Sequence, residues 1–241
     1  MLEITGKTVL MELGELVNPA HTALILVDMQ RDFVAQDGVF ARLGVDLTMY
    51  DPMRPRLARL LTEARRSGVH AVHVQMSMLA GGASDSPAQL RFNLRMHKSF
   101  RVSDMPLTYT EVGSPGQAFV EDLEPAEGEL VVPKWRSSGF WGTNLDLLLR
   151  SNGIRTVIVT GCTTEGCVES TARDAMFNDY YVVVPEDCVA SDDRAQHDAS
   201  LFLMKHRFDV VTSEAVIDAW RHPDDSGQGQ LVAAGMTPTS P

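Results

Sequence analysis

The chain has 241 residues, 44% of them hydrophobic and 22% charged, a balance that fits one large globular domain and excludes a disordered, collagen-like or coiled-coil chain. Its 21 Lys and Arg against 32 Asp and Glu leave a formal net charge of −11, so a nucleic-acid partner, which needs a basic surface, is not expected. Nor is a membrane: apolar runs such as residues 23–27 fall far short of the ~20 residues of a spanning helix.

Residues 22–28 form a short, almost wholly apolar run ending in an acid, the pattern of a strand buried on both faces. Residues 52–67 carry Leu57, Leu60, Leu61 and Ala64 on one stripe and predict an amphipathic helix closed by Gly68. A second strand is expected over 69–76 and a third over 129–133, with an excursion or lid over 81–116 between them. Then follow a helix over 143–151, a strand over 156–161, a helix over 167–178 and a strand over 180–184. A helix over 195–206, a short sixth strand over 209–212 and a last helix capped by Ser213 complete the pattern. Alternating strands and helices predict a three-layer α-β-α fold, α/β in class, with a central, mostly parallel six-stranded sheet. Residues 1–222 are expected to be a single domain and 223–241 a flexible tail.

The three cysteines, Cys162, Cys167 and Cys188, are too few and too odd in number for a disulfide framework and suit a reducing, cytoplasmic setting. The first ten residues lack a basic stretch followed by an apolar core, so no signal peptide is expected. Three functional groups leave carboxyl ends of predicted strands, where a parallel sheet carries its ligand site. They are Asp28 after the first, Lys134 after the third and Cys167 beyond the fourth. Taken singly, each has a plainer reading: a turn-forming Asp, a solvated Lys, a small buried Cys. Together they suggest nucleophilic chemistry. Cys167 is placed at the first turn of the helix over 167–178, where the helix dipole and a nearby Lys134 would favour thiolate. Asp28 would take the thiol proton, and the Cys167 N–H would bind an oxyanion.

The stretches Ala23-Leu-Ile-Leu-Val-Asp28-Met-Gln, Pro133-Lys134 with Ser138-Gly-Phe140, and Val159-Thr-Gly161-Cys-Thr-Thr-Glu-Gly-Cys167-Val-Glu-Ser-Thr-Ala-Arg-Asp174 carry a family resemblance. The chain resembles the isochorismatase-like cysteine hydrolases, a group that includes nicotinamidase and the N-carbamoylsarcosine, biuret and ureidoacrylate hydrolases. The resemblance implies Asp28 as general base, Lys134 as orienting cation and Cys167 as nucleophile. It also implies a cis peptide at Cys162–Thr163 that turns the Thr163 N–H into the oxyanion hole, and assembly as a homodimer or homotetramer. Cys188 reads as packing.

Nicotinamidases of this group bind a metal after the second strand. Here that stretch is Val74-Gln75-Met76-Ser77-Met78, and His70 and His73 fall on opposite faces of a strand, so no metal or other cofactor is expected. The expected partner is a small amide, ureido or carbamoyl substrate, cleaved at a C–N bond through a thioester. Candidate substrate contacts are Phe33, Gln75, Trp135, Phe140, Thr164, Glu165 and Arg95. The cluster Arg91, Arg95, His97, Lys98 and Arg101 reads either as a carboxylate clamp or as a salt-bridged surface or subunit contact. Vinyl-ether hydrolysis of the isochorismate type, and a non-catalytic redox or binding role on the same fold, remain as alternatives.

Overall fold

A computed structural model describes residues 1–96, 101 and 108–222. The expected tail, 223–241, and His97 and Lys98 of the basic cluster lie outside the described residues. In chain order the strands are β1 (Leu2–Ile4), β2 (Lys7–Val9), β3 (Thr22–Val27), β4 (His70–Met76), β5 (Leu130–Lys134), β6 (Thr156–Cys162), β7 (Tyr181–Pro185), β8 (Val189–Ala190) and β9 (Asp209–Val211). The α-helices are α1 (Leu13–Leu16), α2 (Arg31–Val34), α3 (Val39–Arg42), α4 (Tyr50–Ser67), α5 (Pro87–Met96), α6 (Leu145–Ser151), α7 (Glu169–Phe177), α8 (Arg194–Met204) and α9 (Ser213–Arg221).

The central sheet runs β5-β4-β3-β6-β7-β9, every pair parallel, with β8 paired to β6. It has seven strands where six are expected. The extra one, β8, sets only Gly161 opposite Val189 and Cys162 opposite Ala190, and two residues are too short to carry a readable period. The antiparallel pair β1 and β2 is likewise absent from the sequence reading.

β3 shows why its sequence is apolar throughout. Leu24 and Leu26 pack into one core and Ala23, Ile25 and Val27 into another on the opposite face, and all five are fully buried. Each such Leu or Ile contributes ~2 kcal/mol by leaving water. α4 lays Met53, Leu57, Leu60, Leu61 and Ala64 on the first core and ends at Gly68 in the left-handed region, φ 78°. The chain builds β3, β4 and β5 outward to one side, then returns to lay β6, β7 and β9 on the other. Strand order therefore reverses between β3 and β6, and a ligand crevice is expected beyond their carboxyl ends.

At that point the two strands come unusually close. Gly161 has φ 105°, and a Cβ there would stand 2.1 Å from the Val27 carbonyl oxygen. The glycine lets β6 approach β3 at the residue before Asp28, which itself turns out of the sheet with φ 56°.

Candidate active site

Asp28 is fixed by backbone bonds from the neighbouring strand. Its N–H donates to Val74 O at 2.9 Å, and its Oδ1 accepts from the Met76 N–H at 3.0 Å. Lys134 ends β5, an edge strand, which is where a sheet tolerates the preceding Pro133. The Lys134 carbonyl accepts from the Ser77 N–H at 2.9 Å, and its side chain is wholly buried. Its Nζ stands 2.8 Å from Asp28 Oδ2 as an ion pair. The same ammonium donates to Arg136 O at 3.0 Å and Cys167 Sγ at 3.2 Å, with Met76 Sδ at 3.5 Å.

Cys167 lies in a five-residue π-helical turn, Thr164–Val168, that runs directly into α7. The expected helix start at Cys167 is thus corrected: the turn begins three residues earlier and is wound wider, with the Val168 N–H reaching back to Thr163 O at 3.1 Å. The peptide Cys162–Thr163 before it is cis. Cys162 is buried, its Sγ 3.4 Å from Asp28 O, and Cys188 is buried in the first core.

The expected thiolate is also corrected. Burial pushes the Cys167 thiol up to about 12, outweighing the nearby Lys134 ammonium, while the Asp28 charge pushes the same way as burial. Burial likewise raises the Asp28 carboxyl above its ordinary value, with Lys134 acting against it. Burial works to discharge Lys134, yet Asp28 and the Cys167 sulfur prevail and hold it above the ordinary lysine range. At rest the site therefore holds a charged Lys134 between Asp28 and a thiol that burial keeps protonated.

Asp28, Cys162, Thr163 and Cys167 line a cavity of about 40 Å³, a size that favours a compact substrate. Of the candidate contacts, Phe33 lines it and the others stand elsewhere. Gln75 donates to Gln117 O at 3.1 Å. Phe140 packs against Tyr180, ring centres 5.9 Å apart, and Thr164 Oγ1 bonds His197 Nδ1 at 2.8 Å. Trp135 is half-buried and off the cavity. Glu165, Arg91 and Arg95 line a separate open groove that shares Phe92 and Ser137 with the cavity. Sequence reasoning missed Phe40, Met76, Tyr109 and the α5 residues Gln89, Phe92 and Asn93, which complete the walls. The α5 set lies within the expected excursion, and its 89/93 spacing of one helical turn was the available signal.

His70 is exposed and His73 buried, with His73 Nε2 on Glu129 Oε2 at 2.8 Å. Among the described residues no three His, Cys, Asp or Glu side chains are grouped as metal ligands. No described helix is long and apolar enough to cross a membrane.

Residues 22–216 match the isochorismatase domain. The chain belongs to the isochorismatase family. It is 36% identical over 209 residues to the ureidoacrylate amidohydrolase RutB of Enterobacter sp. (strain 638), covering 82% of this chain and 87% of that one. The fold is similar to a cysteine hydrolase from Pseudomonas syringae pv. phaseolicola 1448A, with TM-score 0.72, 26% identity, and 86% and 95% of the two chains covered. It is also similar to an N-carbamoylsarcosine amidase from Thermoplasma acidophilum, with TM-score 0.61, 28% identity, and 80% and 97% covered.

Proposed function

We propose that this isochorismatase-family chain is a cysteine amidohydrolase that cleaves a C–N bond of a small linear amide, ureido or carbamoyl compound and releases ammonia or an amine. The observation that carries this reading is the buried trio itself, with Lys134 Nζ 2.8 Å from Asp28 Oδ2 and 3.2 Å from Cys167 Sγ. Relatives named for ureidoacrylate and N-carbamoylsarcosine hydrolysis support the substrate class.

Asp28 takes the proton from Cys167 Sγ as sulfur forms a bond to the substrate carbonyl carbon. The carbonyl π electrons move to oxygen, and the N–H groups of Thr163 and Cys167 hold that oxyanion. When the C=O bond re-forms, the C–N bond breaks and Asp28 returns its proton to the departing nitrogen. A thioester remains. Water then attacks it, giving a proton to Asp28; the C–S bond breaks, and the thiol is restored. Lys134 stays charged throughout and accompanies whichever neighbour is anionic.

The test is ammonia release over a panel of amides and ureas. Cys167→Ala is expected to lose turnover entirely, and Asp28→Asn to lose it while retaining the thiol. An acyl adduct on Cys167 seen by intact mass in the wild type would support the thioester. Undiminished turnover by Cys167→Ala would sink the mechanism.

A further inference from the structure

Asn93 stands out among the polar groups of the cavity that the proposed chemistry leaves unused. Asn93 of α5 is 1% exposed, and it lines the same cavity as Asp28, Thr163 and Cys167. Its Oδ1 accepts from Gln89 Nε2, one helical turn earlier, at 2.9 Å. Its Nδ2 is buried with no hydrogen-bond partner among the described residues. A buried amide N–H left without an acceptor is destabilising, and native proteins rarely keep one without a reason. Here Gln89 fixes the carboxamide by its oxygen, so the unpaired nitrogen is held in one orientation. Phe33, Phe40 and Phe92 contribute apolar walls to the same cavity.

We propose that Asn93 is a specificity-determining residue whose Nδ2 donates to a second carbonyl or carboxylate oxygen of the substrate, distinct from the carbonyl attacked by Cys167. The inference rests on the amidohydrolase reading and narrows it. The substrate class becomes amides and ureas that carry a further oxygen acceptor beyond the scissile carbonyl, such as acylureas and ureido acids. A plain alkylurea leaves Nδ2 unpaired inside the complex, and sites built around a buried hydrogen bond reject analogues that lack the acceptor far more strongly than apolar pockets reject a missing methylene. Asn93 touches neither the sulfur nor the Asp28–Lys134 pair in this scheme. Its contribution is to recognition and positioning.

Acetylurea and ethylurea form a matched pair: both are neutral, and a carbonyl in the first replaces a methylene in the second. Binding to Cys167→Ser, which keeps the cavity but removes the thiol, is measured by calorimetry and compared with binding to Cys167→Ser/Asn93→Leu. Leucine keeps the volume and removes the donor. Acetylurea is expected to bind the first protein at least tenfold more tightly than ethylurea, with the difference lost in the second. In the Cys167-containing protein, Asn93→Leu is expected to lower kcat/KM for acetylurea roughly tenfold and to leave the thermal midpoint unchanged or raised, because an unpaired buried donor has gone. Equal affinity for the two ligands in Cys167→Ser overturns the proposal, as does an Asn93→Leu change that weakens both ligands alike. A fall in thermal midpoint with no change in ligand preference would make Asn93 structural and would also overturn it. Because binding is read without turnover, an error in the thioester mechanism shows separately, as activity surviving in Cys167→Ala.

Discussion

Replacing Lys134 by glutamine removes the charge that the structure pairs with Asp28 while keeping a polar side chain in its place. At 2.8 Å and an effective dielectric near 20, the attraction lost is ~6 kcal/mol. Asp28 starts above its ordinary 3.8 because it is buried, so in Lys134→Gln its carboxyl is pushed further up and stays protonated to higher pH. A protonated Asp28 cannot take the thiol proton, so the rate falls wherever the variant's carboxyl keeps its proton. The ammonium 3.2 Å from Cys167 Sγ is lost as well, ~5 kcal/mol by the same reckoning, and this part does not return with pH. The combined loss is expected to reach at least ~10³-fold at pH 7. The assay is kcat/KM for ammonia release from pH 4 to 10, with circular dichroism to confirm folding. The wild-type acid limb should lie above the ordinary carboxylate range, with no alkaline fall from Lys134, which is held above the usual lysine value. In the variant the acid limb should move to higher pH, and part of the lost rate should return as the pH is raised. A folded variant whose acid limb stays where the wild type has it would refute the reasoning.

Two further predictions concern stability. Glu129 is pushed upward by burial but pulled further down, to about 2, by hydrogen bonds from Arg65, the Ala126 N–H and His73; its folded value is below its ordinary 4.5, so its contribution is present above pH ~4.5 and is lost as pH falls toward 2. Glu129→Gln should therefore lower unfolding free energy at pH 7 by ~1–2 kcal/mol after allowance for solvent screening, with the difference vanishing near pH 2 in denaturant titrations. Gly161→Ala places a Cβ 2.1 Å from Val27 O at φ 105°, and should cost ~3 kcal/mol or more and displace Asp28, so that thermal midpoint and turnover fall together.

β3 and β6 were legible because strands buried on both faces leave unbroken apolar runs, and Asp28, Lys134 and Cys167 were legible because each follows such a run. What the sequence hides is set by packing between distant segments. Gln89 and Asn93 look like ordinary polar residues of an amphipathic helix until α5 is laid across the carboxyl ends of the strands. Phe140 has the composition of a pocket wall, yet Tyr180 occupies its face. β8 has only the pairing of two residues to β6 to declare it. The protonation of Cys167 follows the same rule. The local pattern, a Cys near a helix start, argues for thiolate, while the burial that outweighs it is not local: Cys167 shares its cavity with Gln89, Phe92 and Asn93 of α5 and with Tyr109.

That burial raises a question for the proposed mechanism, since a thiol near 12 is a poor acid in water. Within the trio, water is not the acceptor. Before transfer, Lys134 faces a carboxylate at 2.8 Å and a neutral thiol at 3.2 Å; afterwards it faces a neutral carboxylic acid and a thiolate. One cation and one anion are present on either side, so the step creates no new buried charge. At an effective dielectric near 20, the two ion pairs differ by only ~1 kcal/mol. Moreover, burial has raised the acceptor as well as the donor, so the Asp28 carboxylate is a stronger base toward the thiol than an exposed one. The site thus does not need a free thiolate at rest. It needs a cation equidistant enough from two acids to change partners as the proton crosses, and a sealed neutral pair is compatible with the deep burial that the cavity walls impose.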